Sequence, residues 1–194
     1  MMTSRPTGLA RWITAAGLVV SLCFATTVLV AAPASAYTFL CGKYAGSNPT
    51  ITYRFYDVTL YDQDRFNEAQ NAWDATSAPG YFTPTTGSDP MVEFRDDFYA
   101  WGAWAQTLYT CTSGTWTGDE VEIQYNHRTT GGLGQRDDRM ILEHELGHAY
   151  GLNHSGLTCA APGPSVMVQG EGKFACGGTP PWAEDVNGVT DRYN

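Results

Sequence analysis

Residues 50–58, TITYRFYDV, alternate apolar and polar positions, with Ile51, Tyr53 and Phe55 on one face. A period of two predicts a half-buried strand. The pattern then lengthens to the helical period. Phe66, Ala69 and Trp73 recur at i, i+3 and i+7, which predicts a helix capped by Asp62 or Asp64 and running to about Ala75. Residues 79–90 are rich in Gly, Pro, Ser and Thr and read as a loop. Further strands are predicted over Met91–Arg95, Trp104–Cys111 and Glu120–Asn126. Gly131, Gly132 and Gly134 then lead into a helix that Asp137 or Asp138 is expected to cap and that runs to about Tyr150. Residues 155–181, with many Gly, Pro and Cys, read as irregular; Val186, Val189 and Tyr193 mark a short last helix from Trp182. There is no internal repeat.

The first 36 residues follow another logic. Arg5 and Arg11 precede an apolar stretch from Trp12 to Ala32, and Ala34-Ser35-Ala36 forms an A-x-A site. These are the parts of a secretory signal peptide over 1–36, cleaved before Tyr37, so residues 37–194 form one domain with a core of its own. Retention of the apolar stretch as an anchor is the competing reading. Loss of Arg5 and Arg11 moves the formal charge of the chain from −9 to −11. So acidic a surface excludes nucleic acid and stable association with anionic membranes. The segment 37–194 keeps Cys41, Cys111, Cys159 and Cys176, an even set suited to disulfides outside the cell. Of the three pairings, Cys41–Cys111 with Cys159–Cys176 is favoured, because the second closes a short loop. Cys41 as a metal-blocking thiolate is the rival reading.

The chemistry concentrates in residues 144–154, HELGHAYGLNH. His144 and His148, four apart, fall on one helix face about 6 Å apart along the axis, where two imidazoles can share a Zn²⁺. Glu145 sits beside the first ligand, placed to reach a metal-bound water as general base. Gly151 can adopt positive φ, end the helix and swing His154 round as third ligand. A fourth position then stays open, as a catalytic site requires. The Gly131–Gly134 stretch is no phosphate loop, since no Lys-Ser/Thr follows.

HELGHAYGLNH resembles the zinc signature of the metzincin metallopeptidases. Met167 in PSVMVQG, thirteen residues after His154, is similar to the methionine of their Met-turn. Ser155 after the third histidine resembles the matrixin (M10-type) version. ITYRFYD, VEIQYN and AEDVNGVTDRY are similar to the first strand, the last strand before the zinc helix and the C-terminal helix of a matrixin domain. The resemblance implies an α+β fold: a twisted, mostly parallel sheet, two long helices, a Met-turn and a C-terminal helix. It implies a secreted, monomeric zinc endopeptidase of minimal bacterial type, acting on proteins or peptides. The chain departs from the family in one informative way. Residues 37–194 hold four histidines, His127, His144, His148 and His154, too few for a second, structural zinc, so one catalytic zinc is expected.

Residues 101–109 are the expected substrate-pairing edge, and 155–169 the wall of the pocket beyond the scissile bond. His127 reads as structural or solvent-facing. Asp96-Asp97, Asp119-Glu120 and Asp137-Asp138 offer oxygens to a Ca²⁺, although solvated turns and caps explain such pairs equally well. The aromatic residues read as core and cleft wall. A catalytically silent secreted module that keeps zinc as a structural staple is the alternative; an intact Glu145 speaks against it, because a structural site needs no base.

Overall fold

The computed structural model describes residues 37–159 and 163–194. The signal segment 1–36 lies outside the described residues. Five strands and four α-helices follow one another as β1 (Thr50–Phe55), α1 (Leu60–Asp74), β2 (Tyr81–Pro84), β3 (Val92–Asp97), β4 (Ala105–Thr112), β5 (Thr115–Asn126), α2 (His127–Thr130), α3 (Gln135–Ala149) and α4 (Ala183–Tyr193). A 3₁₀ turn over Gly170–Ala175 breaks the otherwise irregular stretch before α4. The sheet order is β2-β1-β3-β5-β4. All neighbours are parallel except β4, which runs antiparallel to β5 and forms an edge. Among the described residues, no helix is long and apolar enough to cross a membrane.

The strand alternation holds where it was read. Ile51 and Tyr53 are buried, as are Val121, Ile123 and Tyr125 of β5. These side chains meet Phe66, Ala69 and Trp73 of α1 and Ile141, Leu142 and Leu146 of α3 in one apolar cluster. The Trp73 indole N–H donates to the Glu143 carbonyl at 2.9 Å, which locks the two long helices together and satisfies a buried donor.

Several local expectations need correction. Thr59, not Asp62 or Asp64, caps α1: its hydroxyl accepts from the Asp62 N–H at 3.2 Å. A threonine serves as well as an aspartate there, so the pattern could not separate them. Asp137 and Asp138 do not cap α3, whose N-cap is Gly134 without a side-chain bond. Asp138 accepts instead from the hydroxyls of Tyr125, at 2.7 Å, and Tyr61, at 3.1 Å. The expected loop at 79–90 contains β2. Its four residues pair with β1 through the backbone, and Phe82 alone is buried, too short a run for periodicity to show. β5 starts at Thr115 rather than Glu120. Ser113 and Gly114 both take positive φ, at 53° and 82°, as a tight hairpin with matching twist requires.

Candidate metal centre

α3 carries His144 and His148 on one face, and the chain turns sharply after it. Gly151 has φ of 98°, and a Cβ there would lie 2.6 Å from the Gly42 carbonyl oxygen, so the residue must be glycine for two reasons. The segment 38–43 runs beside this turn: Leu40 N–H donates to the Gly151 carbonyl at 2.9 Å and Asn153 N–H to the Thr38 carbonyl at 2.8 Å. Held this way, His154 comes back over the helix. One nitrogen from each of His144, His148 and His154 falls within 4.8 Å of the others, a set that could hold a metal ion. The ring centroids are 4.6–5.2 Å apart.

The second nitrogens are already committed. His144 Nδ1 lies 2.7 Å from the Val166 carbonyl and His148 Nδ1 2.8 Å from that of Leu152. A carbonyl only accepts, so each Nδ1 carries the proton and each Nε2 is left with its lone pair. Burial pushes the His144 imidazole well below its usual range and that of His148 down to about 4. His154 is more exposed at its edge and is lowered too, chiefly by desolvation and then by the charges of His148 and Lys173. Three neutral imidazoles at neutral pH suit a borderline cation such as zinc.

Around these rings lies a second layer. The Asp185 carboxylate accepts from Ser165 Oγ at 2.5 Å, from Val166 N–H at 3.0 Å and from Trp182 N–H at 2.9 Å. It thus fixes the turn that presents the Val166 carbonyl to His144. Met167 is buried next in sequence; its carbonyl accepts from Ser155 N–H at 2.9 Å, and its sulfur lies against Gly147 between the two helical histidines.

Glu145 faces the same cavity, of about 540 Å³, whose walls include β4, the three histidines and Gln169–Lys173. Its Oε2 accepts from Thr107 Oγ1 at 2.6 Å. Burial pushes its carboxyl up to about 7, with the Thr107 bond and the Lys173 charge opposing. Lys173 had no signal in the sequence, and Thr107 was legible only as part of the 101–109 edge, not as a partner of Glu145: each is remote from HELGHAYGLNH, and the sheet edge and the 3₁₀ turn bring them in. Of the expected substrate edge, Gly102–Thr107 and Tyr109 line the cavity; of the expected pocket wall, Gln169 does.

Disulfides join Cys41 to Cys111 and Cys159 to Cys176, the favoured pairing, and so remove Cys41 as a metal-blocking thiolate. His127 stands away from this cavity. Its Nε2 lies 3.3 Å from Oδ2 of both Asp62 and Asp96, a second group that could hold a cation. Asp96 thus brings one of the three acidic pairs into a cluster, with a histidine rather than oxygens alone, and nothing here singles out calcium.

The sequence matches no family model and no curated protein. Solved structures do share its fold. A chain in the GM1-bound form of the ECX AB5 holotoxin is similar over 81% of this chain and 87% of its own, at 16% identity and a TM-score of 0.50. Looser likenesses link it to high choriolytic enzyme 1, a hatching-enzyme zinc protease of the medaka fish Oryzias latipes (17% identity, TM-score 0.40, 59% of this chain), and to myroilysin (18%, 0.44, 58%). The chain spans only 50% of the hatching enzyme and 44% of myroilysin.

Proposed function

We propose that residues 37–194 form a secreted, monomeric, matrixin-like zinc endopeptidase, released from the signal segment 1–36. One observation carries the reading. Three imidazoles each bring a ring nitrogen within 4.8 Å of the other two, and a buried carboxylate on the adjacent residue faces the same cavity. A structural staple would need the first and have no use for the second.

His144, His148 and His154 hold the ion. When bound, Zn²⁺ supplies the Lewis acidity that makes water nucleophilic near neutral pH and draws on the scissile carbonyl. Glu145, pushed up to about 7, is poised to take a proton from the attacking water and to pass it to the leaving nitrogen. Thr107 holds that carboxylate in place by donating to Oε2. An extended peptide adds to the outer edge of β4, the last strand of the sheet, on the side away from β5. Met167 acts as the Met-turn residue, a floor under the helical ligands.

The test is hydrolysis of an unstructured protein by the purified protein, with and without a chelator, beside Glu145→Ala. Chelator-sensitive cleavage, lost in the variant with zinc retained, is the expected result. Equal inactivity of both proteins with zinc bound would turn the reading to the silent binding module. His154→Ala is expected to lose zinc; unchanged metal content would remove His154 from the ligand set.

A further inference from the structure

We propose that Lys173 forms a carboxylate-binding subsite beside the three-histidine centre, so that the favoured substrate places a carboxylate next to the scissile bond. The inference rests on the peptidase reading and names its substrate class.

Lys173 is 3% exposed, rare for an ammonium. It lines the same cavity as His144, Glu145 and His148. Its Nζ donates to the carbonyls of Val168, at 3.2 Å, and Gly170, at 3.1 Å. An ammonium has three donors, so these two bonds leave one uncommitted. Trp104 and Phe174 cover it, with ring centroids 5.7 and 5.4 Å from Nζ, which keeps water away on those sides. Among the described residues no carboxylate forms an ion pair with it, although the more exposed Arg139 pairs with Glu143, and Arg54 and Arg95, also part-exposed, pair with Glu93.

A buried charge with only neutral acceptors costs several kcal/mol unless an opposite charge meets it. The charge of Glu145 acts on Lys173, yet the two form no ion pair among the described residues. Once a divalent cation sits on the histidines, Glu145 is also the anion that must answer to it. The cavity is then a positive spot in a chain of formal charge −9. A substrate carboxylate entering from the cavity meets the free N–H of Lys173 in a water-poor setting, where a charge-assisted bond is strong. That carboxylate could belong to an Asp or Glu side chain, or to a peptide C-terminus.

The competing account makes Lys173 a staple that ties the carbonyls of 168 and 170 together. A staple affects all substrates alike; a subsite discriminates by charge. Peptides identical except for Glu, Gln or Leu just after the cleaved bond separate the two. A second pair, ending one residue after that bond as free acid or amide, separates side chain from terminus. Wild type is expected to prefer the carboxylate over its neutral isostere in one of these pairs by about tenfold or more in kcat/KM. Lys173→Met should erase the preference, Lys173→Arg keep it, and Lys173→Glu turn it towards Lys. Zinc content and Tm report whether each variant is folded. If wild type shows no preference in either pair, or a folded Lys173→Met keeps it, the subsite does not exist. Failure to cleave any peptide would count against the peptidase reading instead. Binding of the same peptides to zinc-loaded Glu145→Ala then still decides: tighter binding of the carboxylate peptide supports the subsite, and equal binding overturns it.

Discussion

Thr107 shows how much a single hydroxyl outside the metal motif can carry. It donates to Glu145 at 2.6 Å from a strand 38 residues away, and so restrains the carboxylate that we propose as general base. Thr107→Val keeps the shape and removes the bond. The expected effect is a loss of roughly ten- to a hundredfold in kcat with KM little changed, measured on one peptide substrate. An equal rise in KM would mean that Thr107 serves binding instead. Asp62 carries a different prediction. Burial, reinforced by the hydrogen-bonded Asp96 carboxyl, pushes its carboxyl up to about 6 against the pull of Thr59 and His127. The folded state then holds its proton more tightly than the unfolded chain. The contribution to stability is full below about pH 4 and is lost as pH rises through about 6. Asp62→Asn cannot lose that proton. Relative to wild type, the variant should gain roughly 2 kcal/mol in urea unfolding between pH 4 and pH 7. A gap that stays constant with pH would refute the assignment.

Helix α3 is ordered by what it packs on as much as by its own sequence. Gly147 lies between His144 and His148, and a Cβ there would meet Met167 Sδ at 2.3 Å and the Trp73 ring at 3.4 Å. The glycine is therefore the seat of Met167, not a helix weakness. Gly147→Ala improves helix propensity, yet it should destabilise the fold by about 1–3 kcal/mol through overpacking and lower zinc retention. Unchanged Tm and zinc content would show that Met167 moves aside freely. In the same way α4 acts at a distance. Its Asp185 gathers Ser165, Val166 and Trp182, and Val166 in turn receives the proton of His144 Nδ1. Strand β4 was legible as a strand and as an edge. Strand β2 was not, because a four-residue parallel strand with one buried side chain leaves no alternation to read.

The chain as a whole is closed by two covalent ties of different reach. Cys41–Cys111 spans 70 residues and fastens the segment beside Gly151 to β4, two walls of the same cavity. Cys159–Cys176 spans 17 and frames the turn that carries Lys173. Loop closure predicts about 4 kcal/mol for the first and about 3 kcal/mol for the second. Replacing Cys41 and Cys111 with Ser should thus lower unfolding free energy by roughly 2–4 kcal/mol. Replacing Cys159 and Cys176 should also weaken substrate binding, seen as a higher KM. A Cys159/Cys176 variant with wild-type KM would mean that the turn holds its shape without the tie.

Local geometry explains what could be read from the residues alone. Four-residue spacing places His144 and His148 on one face of any helix, a glycine at 151 permits one sharp turn, and alternation at 50–55 and 121–125 admits one buried face. Those features depend on near neighbours, so they survive translation from sequence to fold. The partners that make the cavity chemical are non-local. Thr107, Lys173 and Val166, the last held by Asp185, come to Glu145 or the histidines only after the sheet has set β4 at its edge and the last helix has docked. Caps at Thr59 and Gly134 went unread for a related reason: several residues in a row could cap, and tertiary contacts, such as the two tyrosines on Asp138, chose among them. The candidate ligand set is thus a property of eleven consecutive residues, whereas the environment that tunes it belongs to the folded chain.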